Sequence, residues 1–119
     1  MAIELQNETT HADAIERIER ALLGSILERN SLWPQAESLS VEDFSLDSHK
    51  RIYGRMAAMF EDGRAVDIPT LGMELADRNE LDALGCLGSL PEHALPANFP
   101  AFVRQVRKAA KYKTLKRLF

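Results

Sequence analysis

The sequence predicts an all-α protein, and three observations carry that reading. Its apolar segments mix Leu, Ala, Ile and Met, mostly good helix formers, and β-branched runs are missing. Apolar residues recur every three or four positions rather than alternating. Between these stripes stand cap and stop residues such as Ser48, Asp62-Gly63 and Asp67. A chain of 119 residues that is 45% hydrophobic can bury one core, so a single compact domain is expected rather than a disordered tail.

Residues 1–12 read as a flexible lead-in, after which Thr10 or Asp13 caps the first helix. Ile15, Ile18, Leu22, Leu23, Ile26 and Leu27 form its apolar stripe, with Glu16, Arg17, Glu19, Arg20, Glu28 and Arg29 outside. Gly24 inside this stripe costs about 1 kcal/mol against Ala, which points to another helix approaching closely there. Asn30-Ser31 ends the helix, and Pro34 fits the first turn of a short second one. Trp33 is expected at a partly buried corner, with a partner-facing anchor as the alternative. Ser40 or Asp43 caps the next turn.

Ser48 is expected to cap the strongest helix, from about His49 to Glu61, with Ile52, Tyr53, Met56, Met59 and Phe60 inward. Asp62-Gly63 stops it. Asp67 caps a further helix with Pro69 and Thr70 near its start; Leu71, Leu75 and Ala76 face inward, and Asn79 stops it. Leu81, Leu84, Leu87 and Leu90 mark a weaker segment interrupted by Gly85 and Gly88. Pro91, Pro96 and Pro100 punctuate a loop, and the last helix starts near Pro100 or Ala101.

That last helix changes face. At about 100° per residue, Phe102, Val103, Val106, Ala109 and Ala110 share one side, and Arg104, Arg107, Lys108 and Lys111 the other. Beyond Lys111 the apolar residues Tyr112, Leu115, Leu118 and Phe119 fall on the formerly basic side. One core cannot bury both stripes. Either the helix frays or kinks near Tyr112, or residues 112–119 begin a protruding segment that buries its apolar face against another chain or helix. The globular domain is accordingly expected over residues 13–111.

Net charge is −3, but it is unevenly placed. Residues 1–99 hold 8 Lys/Arg and all 18 Asp/Glu, a balance of −10; residues 100–119 hold 7 Lys/Arg and no acid, a balance of +7. Such a tail suits an acidic neighbour or phosphate, and equally suits the negative end of its own helix dipole. The single Cys86 fits a reducing compartment. The first fifteen residues lack a signal-peptide pattern, and no apolar run approaches the ~20 residues a membrane span needs. A cytoplasmic protein is expected.

Motifs of chemistry are missing. There is no phosphate loop, Gly-x-Gly-x-x-Gly, Cys-x-x-Cys or His-Glu-x-x-His, and His11, His49 and His93 lack metal-ligand spacing. No catalytic, metal or cofactor residue is therefore expected. His49 reads as a packing and hydrogen-bonding histidine at a helix start, Cys86 as a small core residue. A pocket joining His49, a carboxylate and Cys86 would favour an enzyme instead. Seven basic residues of the last helix, including Lys113, Lys116 and Arg117, leave a free-standing DNA-binding or regulatory protein as the competing reading.

The order of motifs resembles the N-terminal domain of the DnaB-family replicative helicase. Glu19-x-x-Leu22-Leu23-Gly24 resembles its opening Glu-x-x-Val-Leu-Gly block, and Asp43-Phe44 the Asp-Phe before its His helix. His49-x-x-Ile52-Tyr53 resembles His-x-x-Ile-Phe, and Asp67-x-x-Thr70-Leu71 with Leu75 resembles the Asp-x-x-Thr-Leu…Leu block. Leu81 and Gly85 are similar to the Leu-x-x-x-Gly-Gly segment, and Val106 with its basic followers to the start of a helical hairpin. Cys86 stands where that pattern has its second Gly, Ser89 where a Tyr is usual, and Ala109 where an Arg is usual.

The resemblance implies a small orthogonal helical bundle whose protruding C-terminal helix forms part of a helical hairpin. In that family hairpins pair between subunits, and the pairs build a collar, a trimer of dimers, on the hexameric motor ring. The implied role is subunit association and docking of primase and loader in the primosome, with Tyr112, Leu115, Leu118 and Phe119 as subunit interface. Arg104, Arg107, Lys108 and Lys111 would form an electrostatic partner surface, and Ser48, His49, Asp67 and Thr70 helix starts. ATP, Mg and strand separation would belong to the parent helicase's motor domain, and DNA would be met through that parent.

Overall fold

The computed structural model describes the backbone of residues 2–118 and the side chains of residues 11–116. Six helices follow in order: α1 (Ala2–Glu28), α2 (Trp33–Ala36), α3 (Asp47–Glu61), α4 (Ile68–Asp77), α5 (Leu81–Leu87) and α6 (Phe99–Leu118). Single 3-10 turns at Asn30–Leu32, Val41–Asp43, Leu90–His93 and Pro96–Asn98 join them. Among the described residues there is no strand. The molecule measures 47 × 29 × 29 Å, and no described helix is long and apolar enough to cross a membrane.

Local chemistry sets the helix boundaries. Asp67 starts α4 with a capping box: its carboxylate accepts the Thr70 backbone N–H at 2.8 Å, and the Thr70 hydroxyl accepts the Asp67 N–H at 3.4 Å. Gly63 (φ +74°) and Asn79 (φ +58°) take the left-handed conformation that closes α3 and α4.

Two expected starts move. Ser48 is not the cap of α3; the helix begins at Asp47, and Leu46 holds the N-cap position with no side-chain bond. The turn before it is fastened from outside, because the Ser45 N–H donates to a Glu19 carboxylate oxygen at 2.9 Å. Residues 1–12, expected as a lead-in, continue α1 upstream to Ala2, and neither Thr10 nor Asp13 caps it. Ala2 to Ala12 contains no Pro or Gly, and Ala, Leu, Gln and Glu favour helix there.

α1 is the spine. Its fully buried Leu22, Leu23 and Ile26 meet Phe44, Ile52, Met56, Leu71, Leu75, Leu90 and Phe99 in one core, each such side chain contributing about 1.5–3 kcal/mol of burial. Gly24 does permit a close approach, but the visitor is a turn rather than a helix. A Cβ on Gly24 would stand 3.0 Å from the Leu90 carbonyl carbon and nearer still to its oxygen. Beside it, buried Ser25 accepts the Leu95 N–H at 2.9 Å and donates to the Ala21 carbonyl at 2.6 Å. Asn30 ties the end of α1 to the strap before α4, accepting the Val66 N–H at 2.8 Å and donating to the Val66 carbonyl at 3.0 Å.

α6 runs antiparallel to α1. Phe102 near its start shares a cleft with Ile18 and Ala21, whereas Tyr112 near its end meets His11 edge-on, ring centroids 6.4 Å apart. The helix continues unbroken through Leu118, so the change of face at Tyr112 occurs without a break in the helix.

Candidate subunit and partner interface

α6 first serves its own domain. Val103 and Val106 are buried and Phe102 packs on the core. Arg104, Lys108 and Lys111 are exposed. Arg107 differs from them: it is half-buried and donates to the Ser38 hydroxyl, so one member of the expected basic surface is occupied within the domain.

Past Lys111 the two described apolar residues, Tyr112 and Leu115, face outward. Tyr112 is 59% and Leu115 55% exposed, in contrast to the buried valines two turns earlier. Burying such side chains stabilises by about 1.5–3 kcal/mol each, which is the gain open to a covering surface. Of the other expected interface residues, Leu118 ends α6 with its side chain outside the described residues, and Phe119 lies outside them altogether. On the α1 side of this end, a groove of about 770 Å³ runs between His11, Ile15 and Leu46 on one wall and Ala109, Tyr112 and Lys113 on the other.

The residues with chemical potential meet elsewhere, inside the bundle. His49 Nδ1 lies 2.7 Å from a Glu19 carboxylate oxygen, and neither residue has exposed surface. Burial opposes charge on the ring, but contact with the Cys86 side chain and the Glu19 carboxylate outweighs it, and His49 is pushed up to about 9. At neutral pH it is a buried imidazolium paired with a carboxylate. His49 and a carboxylate thus do come together, with Cys86 acting on the same ring, and neither His49 nor Glu19 lines the groove beside Tyr112 or the cleft beside Phe102. Among the described residues no cluster of three His, Cys, Asp or Glu is placed to hold a metal.

Sequence reasoning put Glu19 on the outside and missed Ser25 and the Asn30 clamp. Periodicity sends every charge outward by default, and a partner thirty positions away leaves no local mark. Trp33 is a half-buried corner residue, stacked on Phe60 with ring centroids 4.8 Å apart and tilted on Tyr53 at 5.2 Å.

The motif blocks acquire a physical meaning in this geometry: the first supplies Glu19, the third supplies its partner His49, and the fourth is the α4 capping box. The family model of the DnaB-like helicase N-terminal domain matches residues 11–108. The chain belongs to this family. The replicative DNA helicase DnaB of Geobacillus stearothermophilus is 33% identical over 117 residues, covering 94% of this chain and 26% of that protein. The replicative DNA helicase DnaC of Bacillus subtilis (strain 168) is 30% identical over 115 residues, covering 96% of this chain and 25% of that protein. The chain therefore spans about a quarter of the length of these relatives. The fold matches the crystal structure of the N-terminal domain of DnaB helicase from Mycobacterium tuberculosis with a TM-score of 0.79 at 24% identity, over 85% of this chain and 77% of that one. In this DnaB-type domain Ser89 donates to the Cys86 carbonyl at 3.0 Å, and Ala109 leaves a small side chain on the groove wall.

Proposed function

We propose that this chain is the N-terminal collar domain of a replicative DNA helicase, where it associates subunits and docks primase and loader, with no chemistry of its own. Family membership supports the setting. The observation that carries the role is the row of Tyr112 and Leu115, exposed on an unbroken helix beyond the buried Val103 and Val106. An apolar stripe that leaves its own core is suited to a second surface. Strand separation and its ATP and Mg belong, on this reading, to other parts of the parent.

Light scattering across a range of concentrations, at low and high salt, tests it. A dimer or larger species that survives high salt, and that Leu115→Asp reduces to monomer, is the expected result. A chain that stays monomeric at high concentration and is unchanged by Leu115→Asp overturns the subunit role. Capture of primase by the wild-type chain then tests docking by itself.

A second reading has one observation in its favour: Arg104, Lys108 and Lys111 stand exposed along α6. A DNA-binding role predicts duplex or single-strand binding that weakens steeply with salt. No binding at low salt removes it.

A further inference from the structure

The end of α6 has an apolar counterpart of opposite charge on α4 and α5. Met73 is 66% and Leu81 62% exposed, more than Tyr112 or Leu115. Along α4, Pro69, Met73, Ala76 and Asp77 all face outward, at spacings that share one side of a helix. α5 lies beside that side: a Cβ on Gly72 would stand 3.6 Å from the Leu84 Cδ1, and Leu81 precedes Leu84 by one turn. Ala76 projects only a methyl group, which leaves room beside Met73 for a neighbouring helix. Residues 67–88 hold five Asp/Glu and one Arg, a balance of −4. Glu74 is engaged by Arg64, and Glu80 and Asp82 by Arg51; five acids against these three Arg still leave −2. Asp77 is exposed and makes no ion pair among the described residues.

We propose that the end of α6 in one copy docks on the α4–α5 face of a second copy. Charge favours it, because the receiving face is acidic and Lys111 and Lys113 flank the docking end. Register favours it too. Lys111 stands one turn before Leu115, and Asp77 one turn after Met73. Laid antiparallel with Leu115 on Met73, the two helices set Tyr112 over Ala76, a large side chain on a small one. They also bring Lys111 opposite Asp77, about 6 Å further along each axis. The two surfaces differ, so the contact is head-to-tail, and its repetition either closes a ring or extends a chain of subunits. The inference rests on the subunit-association reading and names the surface that receives α6.

Light scattering of the full chain and its variants tests it. Leu115→Asp loses the docking end and keeps the receiving face; Met73→Asp does the reverse. Both positions are exposed, so both variants are expected to fold, which circular dichroism checks. Each alone is expected to self-associate at least about tenfold more weakly than wild type. An equal mixture is expected to form a complex of two chains that neither forms alone. Asp77→Lys weakens association likewise, and adding Lys111→Glu to it restores association; this pair carries the test where Met73→Asp does not fold. If the wild type and Met73→Asp associate equally, as two α6 ends paired with each other would, the receiving face is overturned and association through α6 stands. A mixture that stays monomeric overturns the receiving face as well. A wild type that is monomeric at every concentration overturns both.

Discussion

His49 carries its charge where there is no water, and its cost and use both follow from Glu19. Removing one partner of a buried pair leaves the other unmatched, which costs about 3–5 kcal/mol. Glu19→Gln is expected to lose stability on that scale in urea unfolding, far more than an exposed charge swap. The pair also fixes an alkaline limit. The groups facing His49 are Glu19 from α1 and Cys86 from α5. Because the folded pKa is raised from 6.5 to about 9, the stability is fully present below pH 6.5 and is lost as pH rises through about 9. The buried Tyr53 phenol, raised from 10.0 to about 12, adds loss of the same sign above pH 10. Urea midpoints from pH 6 to 10 check this; a flat profile in the wild type would refute the charged pair. Gly24→Ala is a separate case, since its Cβ would press on the Leu90 backbone. It is expected to destabilise by about 1–3 kcal/mol, against the gain that Ala brings to an open helix site. At this scale the sequence showed Gly24 and His49 as unusual. It hid Glu19, because helical periodicity reads a buried charge as an exposed one.

At the scale of elements, boundaries written in local chemistry were legible and those imposed from a distance were not. Asp67–Thr70 and Gly63 act within a few residues, and each marks the end of a helix as its residue type suggests. Ser48 looked like a cap but is a first-turn residue, because Glu19 of α1 supplies the carboxylate that holds the turn at Ser45. Ala2–Ala12 lacked a strong stripe and so read as a lead-in, although nothing in it opposes a helix. The Asn30 clamp gives a direct prediction. Asn30→Ala removes both bonds to Val66 and leaves buried backbone groups unmet, at about 1–3 kcal/mol. Amide exchange should quicken at Val66 and along the first turn of α4, with α6 unchanged. Equal quickening everywhere would mean that the clamp is part of global stability only.

Across the whole molecule, the uneven charge and the helix that changes face are both plain in the sequence. The structure adds that they occupy one end, where Lys111 and Lys113 flank the exposed Tyr112 and Leu115. Apolar contact and basic charge then make separable contributions to any association there. Raising salt screens the charges over about 8–10 Å and leaves the apolar part in place. Lys111→Glu is therefore expected to alter the salt dependence of association, and Leu115→Asp to abolish it at every salt concentration. Concentration-dependent scattering of the two variants side by side distinguishes them.

The packing of Gly24 under the Leu90 turn also bears on how the chain is made. α1 leaves the ribosome before the rest of this domain, but the surfaces that cover Leu22, Leu23 and Ile26 include Leu90 and Phe99, more than sixty positions further along the sequence. At about 5–20 residues per second, the nascent α1 waits on the order of several seconds with those side chains uncovered. A newly synthesised chain stalled before Leu90 should be captured by chaperones that bind apolar segments, and one stalled after α6 has emerged should not.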